Sequence, residues 1–152
     1  MTDSFKATLA SDLTAAMRAR EHVRVATLRM VLAGISTEEV SGAESRELTD
    51  AETLKVVMKE AKKRKESAAA YREAGRPELA EREEAELAVL ETYLPEQLGE
   101  DELTAIVDRA VEQVGATSMA QMGQVMKVAQ AEISGRADGG VVAAQVKARL
   151  AG

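Results

Sequence analysis

Apolar residues recur at helical spacing from one end of the chain to the other. The first set repeats every fourth residue and predicts a helix from about Ser4 to Ala19, with Asp3 or Ser4 as its N-cap. A second set predicts a partner helix that ends near Val40. The predicted core positions of these two helices are Phe5, Leu9, Leu13, Met17, Val23, Leu28, Val31, Leu32 and Ile35.

A third helix is predicted to begin after Thr49, because Thr49 and Glu52 have the spacing of a capping box. Its apolar pattern continues to Tyr71, and Gly75 is placed to end it in a left-handed conformation. Pro77 suits the first turn of a fourth helix, which Pro95 ends. The predicted inward positions of the fourth helix are Leu79, Leu87, Leu90 and Leu94.

Three shorter helical patterns follow Pro95. Gly115 is predicted to end the first, Thr117 or Ser118 to cap the second, Gly135 to end the second, and Asp138 to cap the third. Their predicted inward positions are Leu103, Ile106, Val107, Ala110, Val111, Val114, Met119, Met122, Val125, Met126, Ala129, Ile133, Val141, Val142, Val146 and Leu150. With no strand pattern of useful length, we expect an all-α fold: long antiparallel helices over residues 1–95, then a small three-helix bundle over residues 96–152.

The composition argues against catalysis. The 152 residues include no Cys and a single His, His22, which excludes disulfides, thiolate metal sites and clusters of histidine ligands. No nucleophile-and-base motif or phosphate-binding glycine motif is present. We therefore expect no catalytic residue, no metal and no cofactor. No apolar run approaches the length of a membrane span and the polar start is no signal peptide, so we expect a cytoplasmic protein.

Charge is distributed unevenly along the chain, whose formal net charge is −6. Residues 1–75 carry +1, residues 76–102 carry −8 and residues 103–152 carry +1. The third predicted helix has lysines at positions 55, 59 and 62, which share one face. This basic face has two interpretations: a solvated face paired with acids of the next helix, such as Glu81 and Glu84, or a surface that follows nucleic-acid phosphates.

The chain resembles the GatB/YqeY family, and specifically its free-standing YqeY-like proteins. The resemblance is carried by stretches in the same order, which are Thr27 to Met30, Lys59 to Glu66, Ala74 to Arg76, Glu83 to Leu98, Met122 to Lys127, and Gly135 to Gly139. The family is similar to the C-terminal tail domain of the B subunit of the tRNA-dependent amidotransferase, a carbon–nitrogen ligase with glutamine as amido donor. The resemblance implies an all-α fold and contact with tRNA, without the catalytic parts of that enzyme.

Our leading hypothesis is a non-catalytic module of translation that binds tRNA or associates with a tRNA-charging or amidotransferase enzyme. The candidate nucleic-acid contacts come from three places. The basic run of the resemblance supplies Lys59, Lys62, Lys63 and Arg64, its glycine-flanked turn supplies Arg136, and the small bundle adds Lys127. The alternative is a protein-interaction module in which the acidic fourth helix docks on an aminoacyl-tRNA enzyme. Its candidate contacts are Glu81, Glu83, Glu84 and Glu86.

Overall fold

The computed structural model describes residues 4–152, and all regular structure in that range is helical. The expected all-α class is confirmed. The chain divides into two compact units, one ending at Leu94 and one comprising Pro95–Gly152. Each is described below by itself.

The first unit contains four helices, α1 (Phe5–Ala19), α2 (His22–Glu39), α3 (Asp50–Glu73) and α4 (Pro77–Glu91). The Ser4 side chain accepts from the amide of Ala7 at the start of α1, whereas Asp3 lies outside the described residues. The predicted capping box forms at the start of α3: the Thr49 hydroxyl accepts from the Glu52 amide, and the Glu52 carboxylate accepts from the Thr49 amide. Local capping chemistry thus places the beginnings of α1 and α3 as the sequence predicts.

The core of the first unit lies among all four helices. Its buried members are Leu9, Leu28, Val31, Ile35, Val57, Ala61 and Leu90. The helices α2 and α3 approach closely at Gly34, where an added Cβ would lie 3.3 Å from Val56 Cγ1. Two predicted core positions are wrong: Met17 is 50% exposed and Val23 is also exposed. Both lie near the junction of α1 and α2, and Ala16 takes the buried position there instead of Met17.

Tyr93 ties the chain beyond α4 to the first two helices. Its hydroxyl donates to Asp12 Oδ2 at 2.5 Å and accepts from Arg24 Nη2 at 2.9 Å. Its ring meets Phe5 in a tilted arrangement with the centroids 6.2 Å apart. Burial and the hydrogen bond to Asp12 raise the pKa of Tyr93 to about 12. The tyrosine therefore keeps its proton where an exposed tyrosine has lost it.

We expect Tyr93 to contribute stability that is present below pH ~10 and is lost as the pH rises towards 12, since the folded state holds the phenolic proton more tightly than the unfolded chain. A rise in tyrosinate absorbance near pH 12 should be seen in the parent protein and should be absent in Tyr93→Phe. An unchanged rise near pH 12 in Tyr93→Phe would contradict this assignment.

The second unit contains α5 (Glu100–Val114), α6 (Met122–Ile133) and α7 (Gly139–Ala151). All three contribute to one core, whose buried members are Leu103, Ile106, Val107, Ala110, Val111, Val125, Ala129, Ile133, Ala137, Val142 and Val146. Gly115 ends α5 with φ +70, as its predicted role requires. Asp138 occupies the N-cap position of α7.

The start of α6 differs from the prediction. A separate 3₁₀ turn, Met119–Gln121, precedes the helix, and neither Thr117 nor Ser118 caps α6. Instead, the Thr117 amide donates to Gln121 Oε1 at 2.7 Å. Met119 and Val141 were predicted to face the core and are exposed, because the 3₁₀ turn interrupts the α-helical phase at Met119 and because Val142 takes the core position beside Val141.

Two glycines of the second unit should respond in opposite directions to replacement by alanine. Gly115→Ala should destabilise the protein by about 1 kcal/mol, since alanine is strained at φ +70. Gly123→Ala should be neutral or stabilising by about 0.5 kcal/mol, because Gly123 lies in α6 and a Cβ there meets nothing within 4 Å. Urea unfolding of the two variants and the parent measures both effects. Equal changes in the free energy of unfolding would contradict the assigned backbone conformations.

Candidate functional site

The helix α3 carries a buried face and a basic face. Its buried residues are Thr53, Val57, Glu60, Ala61, Arg64 and Ala68. The lysines at positions 55, 59 and 62 lie on the opposite side of the helix and are exposed, as is Lys63. We call the exposed set Lys55, Lys59, Lys62 and Lys63 the basic face of α3. The structure thus brings three of the predicted nucleic-acid contacts together on one solvent-facing surface, which are Lys59, Lys62 and Lys63.

Arg64 does not belong to this surface, which corrects its predicted role as a nucleic-acid contact. It is only 6% exposed. Its Nε lies 2.8 Å from Glu86 Oε2 and 3.6 Å from Glu83 Oε2, and its Nη2 lies 3.4 Å from Glu60 Oε2. A second neighbour of Nη2 is the sulfur of Met30, at 3.0 Å. The sequence contained the signal for this burial, because position 64 is in helical phase with the buried Val57, Ala61 and Ala68.

Attraction between one buried arginine and three carboxylates is the main link between α3 and α4 at this point. We call this set of residues, Arg64, Glu60, Glu83 and Glu86, the Arg64 cluster. Neither Arg64 Nε nor Glu83 Oε2 has an aligned hydrogen-bond partner within residues 4–152, although both lie in ion-pair range of opposite charges. One guanidinium faces three carboxylates, of which Glu60 also pairs with Lys63 at 3.3 Å. The cation is therefore the member of the cluster that the other three depend on.

Three glutamates of the acidic helix α4 pair with arginines of α3, Glu83 and Glu86 with Arg64 and Glu84 with Arg72. Glu83 and Glu86 turn towards Arg64, where Glu86 is buried and Glu83 is half-buried, which corrects the prediction that both offer free contacts to a partner. Glu84 forms two hydrogen bonds of 2.8 Å with Arg72, and these bonds hold the pKa of the Glu84 carboxyl below its usual value. Among the four glutamates of the alternative hypothesis, Glu81 is exposed and Glu84 is half-buried at the surface.

The basic face keeps free positive charge. In the part of the chain that the structure describes, Lys55 and Lys59 form no ion pair, while Lys63 pairs with Glu60. The interpretation in which α4 acids such as Glu81 and Glu84 neutralise the lysines of α3 does not hold for Lys55, Lys59 and Lys63, because Glu84 pairs with Arg72 and Lys63 pairs with Glu60.

The two candidate contacts of the second unit have different surroundings. Lys127 is exposed and lines a shallow groove together with Gln113, Gln124 and Val128. Arg136 turns back onto the end of α6, where its Nε donates to the Ile133 carbonyl at 2.9 Å and its Nη2 donates to the Glu132 carbonyl at 2.7 Å. Its own carbonyl accepts from the Leu98 amide at 2.8 Å. The Arg136 side chain thus caps the last carbonyls of α6, so its guanidinium is already engaged within the second unit.

Within residues 4–152, no three His, Asp or Glu side chains lie close enough together to hold a metal ion. His22 is exposed at the first position of α2. None of the helices in the described range is both long and apolar enough to cross a membrane.

Comparison with known proteins identifies the family. The family model described as Yqey-like protein matches residues 6–150. The chain belongs to the YqeY-like family. An uncharacterized protein of Schizosaccharomyces pombe is 32% identical over 93 residues, which are 61% of this chain and 74% of that protein.

Two further relatives are named altered inheritance of mitochondria protein 41, mitochondrial. The one from Lachancea thermotolerans is 33% identical over 58% of this chain and 46% of its own length. The one from Meyerozyma guilliermondii is 35% identical over 57% of this chain and 44% of its own length. The matched region thus spans less than half of each of these two relatives. Their names place them in mitochondria, and a cytoplasmic location of the present chain stays a prediction.

The Arg64 cluster predicts an asymmetric response to substitution. Arg64→Met should destabilise the first unit by about 3 kcal/mol or more, because it leaves three carboxylates without their shared cation. Glu86→Gln should cost less, since Arg64 keeps two carboxylate partners. Arg72→Met is the matched control on the same helix, and its effect should be much smaller because the Arg72–Glu84 pair is exposed.

Urea unfolding followed by circular dichroism gives the order of the three variants. If Arg64→Met and Arg72→Met were equally stable, the Arg64 cluster would not hold the hairpin.

Proposed function

We propose that the chain is a non-catalytic RNA-binding module that contacts the phosphate backbone through the basic face of α3. The observation that carries the proposal is the separation of charge in the α3–α4 hairpin. The acids of α4 pair with Arg64 and Arg72, and Lys55 and Lys59 keep unpaired ammonium groups on the far side of α3. An overall charge of −6 therefore coexists with a locally basic surface.

The chemistry of this surface favours backbone contact over base reading. From Lys55 to Lys63 the helix rises about 12 Å, so the ammonium groups can engage several phosphates of one strand. Lysine binds phosphate as a point charge and does not fix a planar base edge as arginine does. We therefore infer that the module recognises the shape and charge of RNA.

Transfer RNA is the RNA class that the resemblance to the amidotransferase tail domain indicates. An association with a tRNA-charging or amidotransferase enzyme is part of the same proposal, since such an enzyme would hold the tRNA close to the basic face. In the second unit, Lys127 is the exposed candidate for a further phosphate contact.

The alternative, docking of an enzyme on the acidic helix without RNA, retains less support. Of its four glutamates, Glu83 and Glu86 are already engaged by Arg64. A partner would have to bind through Glu81 and displace the Arg72 pair of Glu84.

Charge reversal tests the RNA surface. Lys59→Glu should weaken tRNA binding by about tenfold at low salt and lower the slope of log affinity against log salt by about 0.7 to 0.9. Lys147→Glu is the control, because Lys147 is exposed on α7 in the second unit and the change in net charge is the same. Fluorescence anisotropy with labelled tRNA over a series of salt concentrations measures both quantities.

Equal weakening by the two substitutions would indicate a non-specific charge effect and would overturn the site. The alternative would be favoured if the chain showed no measurable tRNA binding but captured an enzyme from nuclease-treated lysate, and if Glu81→Gln abolished that capture.

A further inference from the structure

A hollow opens beside the basic face of α3, where the end of α2 and the connecting segment 40–49 meet the first turns of α3. Its volume is about 230 Å³. We call it the α2–α3 hollow. Its lining residues are Glu38, Arg46, Leu48, Glu52, Lys55, Val56 and Lys59.

Two of the five charged side chains that line the hollow, Arg46 and Glu52, pair with each other. Arg46 donates to both carboxylate oxygens of Glu52, at 2.9 and 2.6 Å, so neither group of this pair is free. Lys55 and Lys59 form no ion pair within residues 4–152. Glu38 accepts from the Ser41 hydroxyl at 3.3 Å and forms no ion pair in the same range. The unpaired charges lining the hollow are therefore two ammonium groups and one carboxylate.

The two lysines are placed to share one anion. They are separated by one helical turn, which puts their Cβ atoms about 5–6 Å apart on the same face. Two flexible ammonium groups at this spacing can converge on the oxygens of a single tetrahedral group. Leu48 and Val56 are half-buried and supply apolar surface beside them.

The walls of the hollow are fixed by hydrogen bonds that do not involve Lys55 or Lys59. The Leu48 amide donates to Glu39 Oε2 at 3.3 Å, and the Arg46 amide donates to the Glu39 carbonyl at 3.0 Å. Glu39 in turn accepts from Lys6 at 2.8 Å. The capping box at Thr49 holds the first turn of α3. The connecting segment is thus held in place before any ligand arrives, which lowers the entropic cost of binding.

We propose that the α2–α3 hollow is a binding site for one phosphate group, with Lys55 and Lys59 on its oxygens and with Leu48 and Val56 against the carbon skeleton that carries it. Phosphate fits this chemistry better than a carboxylate, because its charge and its several acceptor oxygens match two point-charge donors. The phosphate can come from an RNA backbone or from a free nucleoside monophosphate. The RNA source rests on the proposed function, whereas the free-nucleotide source does not.

The test uses the full chain, labelled with ¹⁵N and titrated separately with inorganic phosphate, adenosine monophosphate and adenosine. Phosphate and the nucleotide should shift the amide signals of Leu48, Lys55 and Val56, and adenosine should not. Lys55→Gln should weaken nucleotide binding by about tenfold. Glu38→Gln should strengthen it several-fold, because that substitution removes the unpaired carboxylate from the hollow. Lys147→Gln is the control and should leave the affinity unchanged.

The outcomes separate this inference from the proposed function. One outcome is that the chain binds the nucleotide, that Lys55→Gln weakens and Glu38→Gln strengthens this binding, and that tRNA does not bind. This outcome would support the hollow as a small-ligand site and overturn the RNA proposal. A second outcome is that Lys59→Glu weakens tRNA binding, Lys55→Gln does not, and neither phosphate nor nucleotide shifts the amide signals. This outcome would overturn the phosphate site in the hollow and leave the RNA proposal standing. Equal weakening in Lys55→Gln and Lys147→Gln would also overturn the hollow.

Discussion

The buried guanidinium of Arg64 is the constraint on which the arrangement of the first unit depends. A charge this far from water is tolerated only beside opposite charge, and α4 supplies two of the three carboxylates that surround it. Glu83 and Glu86 are therefore committed to the inside of the hairpin. The lysines of α3, on the opposite side of the same helix, are left to the solvent.

This division explains why the bulk charge of the chain is a poor guide to its surface. The segment of residues 76–102 has the strongest net charge, yet three glutamates of its helix α4 are paired with Arg64 and Arg72 of α3. The segment of residues 1–75 is nearly neutral by count but exposes the basic face, on which Lys55 and Lys59 form no ion pair within residues 4–152. The electrostatic field that a binding partner meets depends on which charged residues a helix buries and which it exposes.

The sequence predicts most of the helical boundaries because capping and termination are local. The capping box at Thr49, proline at the start of α4 and glycine at the end of α5 each act within a few residues of their own position. The errors arise where the outcome depends on a distant neighbour. Periodicity cannot tell that Met17 and Val141 lie at the edges of their cores, since that depends on which helix packs against them.

In the candidate site too, the sequence predicts which side chains of α3 are exposed but not which residues of α4 they meet. The exposure of Lys59, Lys62 and Lys63 follows from their position opposite the apolar stripe of α3. The burial of Arg64 could have been predicted from that stripe, but the resemblance to the family's basic run placed it with the lysines. Its glutamate partners on α4 could not be identified from sequence, because their register against α3 is set by the packing of the hairpin.

Arg136 has a consequence that reaches across the second unit. Its guanidinium closes the end of α6, and its carbonyl receives the amide of Leu98, which lies in the segment before α5. One residue in a single turn thereby joins the first residues of the unit to the end of its middle helix, immediately before the last helix begins. Fraying of the segment before α5 would therefore disturb the turn from which α7 starts.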